Sequence, residues 1–137
     1  EKAKRYGTKM GLIMFDLDNF KKLNDRLGHL GGDFVLKRVA QICCKILRAA
    51  DIFGRYGGDE FIVILPMTDS RRTEEAAFRI CRAFRETNIE YNGITLEVSA
   101  SFGIASLMGQ EDELEEMIKR ADKNLYVSKI SGGDRVT

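Results

Sequence analysis

Arg55-Tyr56-Gly57-Gly58-Asp59-Glu60-Phe61 lies between two apolar runs, Ile52-Phe53 before it and Phe61-Ile62-Val63-Ile64-Leu65 after it. Adjacent glycines between strand-like runs predict a two-residue hairpin turn at Gly57-Gly58, because glycine accepts positive φ without steric cost. In that reading Asp59 and Glu60 follow the turn on strand backbone, at the lip of a sheet. Small residues beside them leave room for a bulky ligand to approach the backbone. A solvated turn has the same composition, so the rest of the chain has to decide.

Upstream, Met10 to Phe15 is a continuous apolar run that ends in Asp16-Leu17-Asp18-Asn19. A run apolar on both faces predicts a central strand covered on each side. Asp18 or Asn19 then caps a short helix with Phe20, Leu23 and Leu27 inward and Gly28 as its stop. Val35, Val39, Ile42 and Ile46 repeat at helical spacing, which predicts a second helix from about Asp33 to Arg48.

Downstream, Pro66 ends the hairpin, and Asp69 or Ser70 caps a helix that packs Ala77, Ile80, Cys81 and Phe84 inward. Asn92-Gly93 is a turn, and Ile94, Leu96 and Val98 alternate with polar residues in a single strand reaching about Ala105. Residues 111–129 predict a last helix with Leu114, Met117, Ile118, Ala121 and Leu125 on one face, followed by a short strand at Arg135-Val136. Residues 1–9 read as a polar, basic tail. Strands and helices mixed in this order around one sheet predict an α/β sandwich, its largely antiparallel central sheet flanked by helices.

At 137 residues the chain is one domain, with 44% apolar and 31% charged residues, as in a soluble globular protein. Its 22 basic and 21 acidic residues give no support to nucleic acid as the main partner. A small phosphorylated ligand, needing two or three local cations, is not excluded by that balance. No apolar run approaches the length of a membrane span and no stretch reads as a signal peptide, so a cytoplasmic domain without membrane contact is expected. Cys43, Cys44 and Cys81 lack metal-ligand spacing and read as buried, reduced thiols. The lone His29, in a glycine-rich connector, reads as structural.

Two acidic groups fall at strand edges, Asp16/Asp18 and Asp59/Glu60. On neighbouring strands these carboxylates would converge on one lip, where they repel unless a cation lies between them. Hard oxygen ligands suit Mg²⁺ or Mn²⁺, which bridges nucleotide phosphates. The helix beginning after Asp18 would turn its free N–H groups to the same lip as a phosphate cradle, with Lys21 one turn in. Helix capping and turn formation account for Asp18 and Asn19 without any ligand. They do not account for Asp16 and Glu60.

Phe15-Asp16-Leu17-Asp18-Asn19-Phe20-Lys21, Asn24-Asp25, Gly28-His29, Gly32-Asp33 and Arg55 to Phe61 resemble the GGDEF family, the diguanylate cyclases. Ser99 to Ala105 and Ala121-Asp122-Lys123-Asn124-Leu125-Tyr126 through Lys129 are similar to its later signatures. The resemblance covers nearly the whole chain in order, which makes it far more specific than a lone pentapeptide. It implies a fold like the nucleotide cyclase and polymerase palm, in a single domain over 1–137 excised from a longer protein with fused sensory or effector domains. It implies condensation of two GTP into cyclic di-GMP and two pyrophosphates across a homodimer.

Carried over by residue, the resemblance makes Asp16 and Asp59 metal ligands, assisted by the Leu17 carbonyl. Glu60 completes the acidic site, on a second ion or in activating the 3′-hydroxyl. Asn24 and Asp33 match the guanine readers; a carboxylate accepts from guanine N1–H and its exocyclic amine together. Lys21, the backbone around Phe20, and Lys129 would hold the triphosphate. Arg48-Ala49-Ala50-Asp51 stands at the RxxD position where relatives bind cyclic di-GMP and are inhibited by it, with Arg79 as a further arginine. By itself such a pair is also an ordinary charge pair at a helix end.

The chain departs from the family at Gly133, where an arginine is usual, with Arg135 close by. It also lacks the family's usual opening helix. Two other functions remain open at this point: a module that only binds GTP or cyclic di-GMP to regulate a neighbouring domain, and a pure dimerisation unit.

Overall fold

In a computed structural model, residues 9–108 and 112–137 are described. The elements are β1 (Met10–Leu17), α1 (Phe20–Ile46), β2 (Ile52–Gly57), β3 (Glu60–Pro66), α2 (Ser70–Glu86), β4 (Ile89–Tyr91), β5 (Ile94–Leu96), β6 (Ala100–Ser106), α3 (Leu114–Ile130) and β7 (Arg135–Val136). The tail reading of residues 1–8 and the helix start at 111 lie outside the described residues.

β1 is the hub, as its two-sided apolar run requires. It pairs antiparallel with β3 on one side and β6 on the other, giving the order β2-β3-β1-β6-β7. Among the described strands only the terminal β7 runs parallel to its neighbour. Odd-numbered β1 residues Ile13, Phe15 and Leu17 enter the core built with α1 and α2, where Phe15 stacks on Phe61. Even-numbered Leu12 and Met14 pack against Met117, Ala121 and Leu125 of α3. The side-chain period of two therefore assigns Asp16, the next even position, to the α3 face. Gly103 lets α3 lie directly on β6, since a Cβ there would collide with the backbone of Ala121 and Leu125.

Several boundaries differ from the sequence reading. The hairpin turn is Gly58-Asp59, because Gly57 pairs with Glu60 and a bulge at Arg55–Gly57 absorbs one residue. Asp59 thus sits in the turn itself, not on the strand. Gly28 breaks the helix as expected (φ 82°, ψ 174°), but a second helical piece follows at once, well before Asp33, so that α1 is two helices joined at a kink. The single strand expected from Ile94 to Ala105 is split, because β5 pairs with β4 in a separate hairpin about Asn92-Gly93. Asp69 caps α2 as expected, accepting from the Arg72 N–H. Cys44 is exposed, unlike Cys43 and Cys81, and Leu114 at the start of α3 turns outward.

Candidate active site

Asp16 and Glu60 are direct partners in the β1–β3 ladder, so their side chains leave the sheet on the same face. That face is the one α3 covers, and Lys129 in its last turn donates from Nζ to Asp16 Oδ2. Asp16 is only 6% exposed, and its other oxygen, Oδ1, is buried without a hydrogen-bond partner. Burial lifts the Asp16 pKa above the usual carboxylate value, although the hydrogen bond and charge of Lys129 pull the other way. Glu60 is raised as well, first by burial and then by the charges of Asp122 on α3 and of Asp16. For Lys129, burial opposes the ammonium, but Asp16 outweighs it, and Asp59 and Glu60 add to the same effect.

A cavity of about 400 Å³ opens at this lip. Asp16, Leu17, Asp18, Asp59 and Lys129 line it, together with the turn at 19–21 and the Gly132-Gly133 backbone. Asn19, at the N-terminus of α1, is left-handed (φ 57°) and its side chain caps nothing. No acid lies in the first turn of α1, so the helix dipole faces the cavity unopposed. Lys21 is exposed at the same edge. Asp18, placed with Asp16 by sequence, caps no helix: Ser99, Ser101 and the Asp134 N–H occupy its carboxylate. A cavity of about 570 Å³ lies behind the 17–20 turn, but neither Asp16, Asp59 nor Lys129 lines it, so its size does not make it the reaction site.

Among the described residues no cluster of three or more acid, histidine or cysteine side chains forms a ready metal cage. Asp16 and Asp59 share one cavity wall and Glu60 is paired beside Asp16, but the Lys129 ammonium holds Asp16 from the side. An all-oxygen donor set with one buried, unpartnered carboxylate oxygen nevertheless fits Mg²⁺ or Mn²⁺.

The kink at Gly28 folds the two pieces of α1 toward each other. A Cβ on Gly32 would overlap Asn24 Oδ1 and stand 3.4 Å from Phe20 Cζ, so Phe20 and Asn24 lie over Gly32, next to exposed Asp33. Gly32 entered the sequence reading only as part of the Gly32-Asp33 motif, with no role of its own; the close approach of Asn24 and Phe20 is what requires a glycine there.

A second pocket, of about 200 Å³, brings together Arg48, Asp51 and Arg79, with Arg72 added from α2. Arg48 pairs with Asp51 at 2.7 Å and donates to Thr68 Oγ1 at 2.8 Å and to the Pro66 carbonyl. The Arg48 N–H also donates to Asp51 Oδ2. The arrangement is therefore the helix-end charge pair and an arginine-lined pocket at once. Thr68 and Arg72 were not foreseen, because nothing in their local sequence points toward residue 48.

Gly133 is buried at φ 77°, and an added Cβ would stand 3.0 Å from the Asp18 carboxylate. Arg135 Nε donates to the Gly133 carbonyl, which holds its guanidinium beside the strap that walls the cavity.

An antiparallel sheet flanked by helices, with acids on two adjacent strands beside an uncapped helix N-terminus, defines an α/β domain with an acid-lined cavity at its sheet edge. Its family is also shown: residues 1–135 match the model "Diguanylate cyclase, GGDEF domain", and the chain belongs to that family. Diguanylate cyclase A of Treponema denticola is 41% identical over 93% of this chain, and diguanylate cyclase DosC of Escherichia coli 38% over 98%. The chain spans only 34% and 29% of those two relatives. Among solved structures, the GGDEF domain of DgcB from Caulobacter crescentus, in complex with c-di-GMP, superposes with a TM-score of 0.93 at 29% identity, covering 99% of this chain and 81% of that one. Diguanylate cyclase SiaD from Pseudomonas aeruginosa, in complex with its activator SiaC, gives 0.93 at 32%, over 99% and 52%. Among the described residues no helix is long and apolar enough to cross a membrane.

Proposed function

We propose that this chain is the catalytic domain of a diguanylate cyclase that condenses two GTP into cyclic di-GMP and two pyrophosphates. The observation that carries the reading is Asp16, with a buried unpartnered oxygen and Glu60 beside it in register, in the wall of a cavity that Asp59 and an uncapped helix start also line. The triphosphate lies along the 19–21 backbone, between Lys21 and Lys129. Guanine lies over Gly32, with Asn24 and Asp33 at its polar edge.

Mg²⁺ or Mn²⁺ would be held by Asp16, the Leu17 carbonyl, Asp59 and Glu60, and would supply charge neutralisation for the phosphates and a more acidic hydroxyl. Glu60, made more basic by burial and its acidic neighbours, is suited to take the 3′-hydroxyl proton. The freed 3′-oxygen, from a GTP on a facing copy of the domain, bonds to the α-phosphorus as the bond to the β-phosphate oxygen breaks. A second transfer in the reverse direction closes the ring. Arg48, Asp51 and Arg79 form the site where product binds and inhibits.

The purified chain, held as a dimer, is expected to convert GTP but not ATP to cyclic di-GMP when Mg²⁺ is present. Equal use of ATP would remove the base-reading role of Asn24 and Asp33. One observation favours a second reading, a domain that binds nucleotide without turning it over: Gly133 brings no side chain to the phosphate cavity. Tight analogue binding with no turnover in the dimerised chain would select it.

A further inference from the structure

The geometry points to Asp18 as a positioning residue for the triphosphate cavity, not a metal ligand; this rests on the reading of that cavity given above. Its carboxylate is spent on three donors, Ser101 Oγ at 2.6 Å, Ser99 Oγ at 2.7 Å and the Asp134 N–H at 2.8 Å. Its own N–H donates to the Ser99 carbonyl at 2.9 Å. Those contacts join three separate pieces of chain. One is the 17–19 turn, which leads into the start of α1. Another is the approach to β6. The third is the 132–134 strap after α3, which closes the cavity behind Lys129.

The strap has little else to fix it on the β1 side. Its Gly132 and Gly133 N–H groups return to Lys129 and Ser128 of its own helix, and Asp134 is tied to Arg85 on α2. Gly133 lies against the same Asp18 carboxylate, so closely that an added Cβ would have to push it aside by a few tenths of an ångström. Asp18 therefore sets the distance between the two walls of the cavity, the 19–21 turn and the Gly132-Gly133 backbone. It does this from within the cavity wall it shares with Asp59, its carboxylate turned to the two serines and the strap.

The test uses the 137-residue chain, a non-hydrolysable GTP analogue and Mn²⁺. Analogue affinity is read by calorimetry well below the melting temperature, and bound Mn²⁺ by electron paramagnetic resonance. Asp18→Ala is expected to weaken the analogue roughly tenfold, the scale of a lost charge-assisted hydrogen-bond set, while cyclic di-GMP affinity at the Arg48 pocket is unchanged. Asp18→Asn should recover most of the loss, since an amide still accepts from the Asp134 N–H and donates to a serine hydroxyl. The Ser99→Ala/Ser101→Ala pair, which leaves Asp18 in place, should fall between them and keeps the test open should Asp18→Ala not fold. Mn²⁺ stoichiometry in the saturated complexes should stay at the parent value. An Asp18→Asn protein that loses Mn²⁺ as Asp16→Asn does would make Asp18 a ligand and overturn the proposal. Unchanged analogue affinity with a lower melting temperature in both Asp18→Ala and the serine pair would reduce Asp18 to a stability role. A parent protein that does not bind the analogue overturns the cavity reading itself, and this role with it.

Discussion

Asp16 and Asp112 are buried to nearly the same extent, 6% and 8% exposed, yet their surroundings are opposite. Asp112, just before α3, has both oxygens filled. Met108 N–H and Arg120 reach Oδ2, Glu113 N–H and Arg120 reach Oδ1, and Arg120 also donates to the Ser106 carbonyl. The Arg120 hydrogen bond holds the Asp112 pKa below the usual carboxylate value. Asp16 has one lysine, one orphaned oxygen and acids on two sides, and its pKa is raised. Burial alone does not distinguish structure from function. What distinguishes them is whether the fold completes the carboxylate or leaves it wanting a cation.

The largest effect expected from this contrast is on turnover. Asp59→Ala or Asp16→Asn should cut cyclic di-GMP formation by more than roughly a hundredfold, since even outer partners of a metal site cost that order when lost. Melting temperature should not fall in the Asp59 variant, because the wild-type side chain makes no ion pair among those of the described residues. Turnover within a few-fold of parent in either protein would remove the acidic lip from the chemistry.

The Asp112–Arg120 clasp should respond in the opposite way. Removing one partner of a buried pair costs about 3 kcal/mol. The Arg120 side chain is 35% exposed, so about 2 kcal/mol is expected for Arg120→Met in urea unfolding after allowing for solvent screening. Asp112 has a depressed folded-state pKa, so its contribution is present at neutral pH. It is lost only as pH falls through a value below the ordinary carboxylate range. Catalysis per folded molecule should be unchanged. A large loss of activity without a stability change would break the division drawn here.

Sequence made the central features legible where the pattern was strict. The apolar run of β1 marked a two-sided strand, and the acids after it and after the hairpin turn marked a common lip if the strands were neighbours; the register that sets Asp16 opposite Glu60 comes from the fold. Local chemistry could not resolve the turn by one residue, because a bulge at Arg55–Gly57 trades against either glycine. It also assigned Asp18 to the wrong task. Helix capping is decided within a few residues, whereas the serines that claim Asp18 lie some eighty positions away on the approach to β6 and at its start. Thr68 and Arg72 were missed for the same reason: each acquires its role from a partner that only the fold supplies.

Arg48–Asp51 lies between the two extremes, well paired but with its arginine side chain 56% exposed. Its Asp51 partner is only 3% exposed, so removing the arginine leaves a buried carboxylate short of a partner and should cost about 1 kcal/mol, less than at Arg120 because the arginine itself is more exposed. Arg48→Ala should also raise the cyclic di-GMP concentration needed for half-inhibition by about tenfold, the loss of one charge-assisted anchor. Unaltered inhibition would detach this pocket from product control.

The smallest effect, and the sharpest on the comparison, is on stability at the lip. Glu60 has a raised folded-state pKa, so the folded protein holds its proton more tightly than the unfolded chain does. Stability associated with Glu60 is then full below the unfolded value and is lost as pH rises through the folded one. At neutral pH without divalent ions, ionised Glu60 costs the fold something that glutamine would not. Glu60→Gln should melt a few degrees above the parent at pH 7, on the scale of about 1 kcal/mol, while losing activity. The gap should close as pH falls through the raised pKa, where parent and variant are both neutral at this position. Added Mg²⁺ with nucleotide should also narrow it, by stabilising the parent alone. A variant no more stable than the parent at pH 7 would mean that Glu60 is as well satisfied as Asp112. The acidic lip would then be ordinary surface, not a site strained for binding.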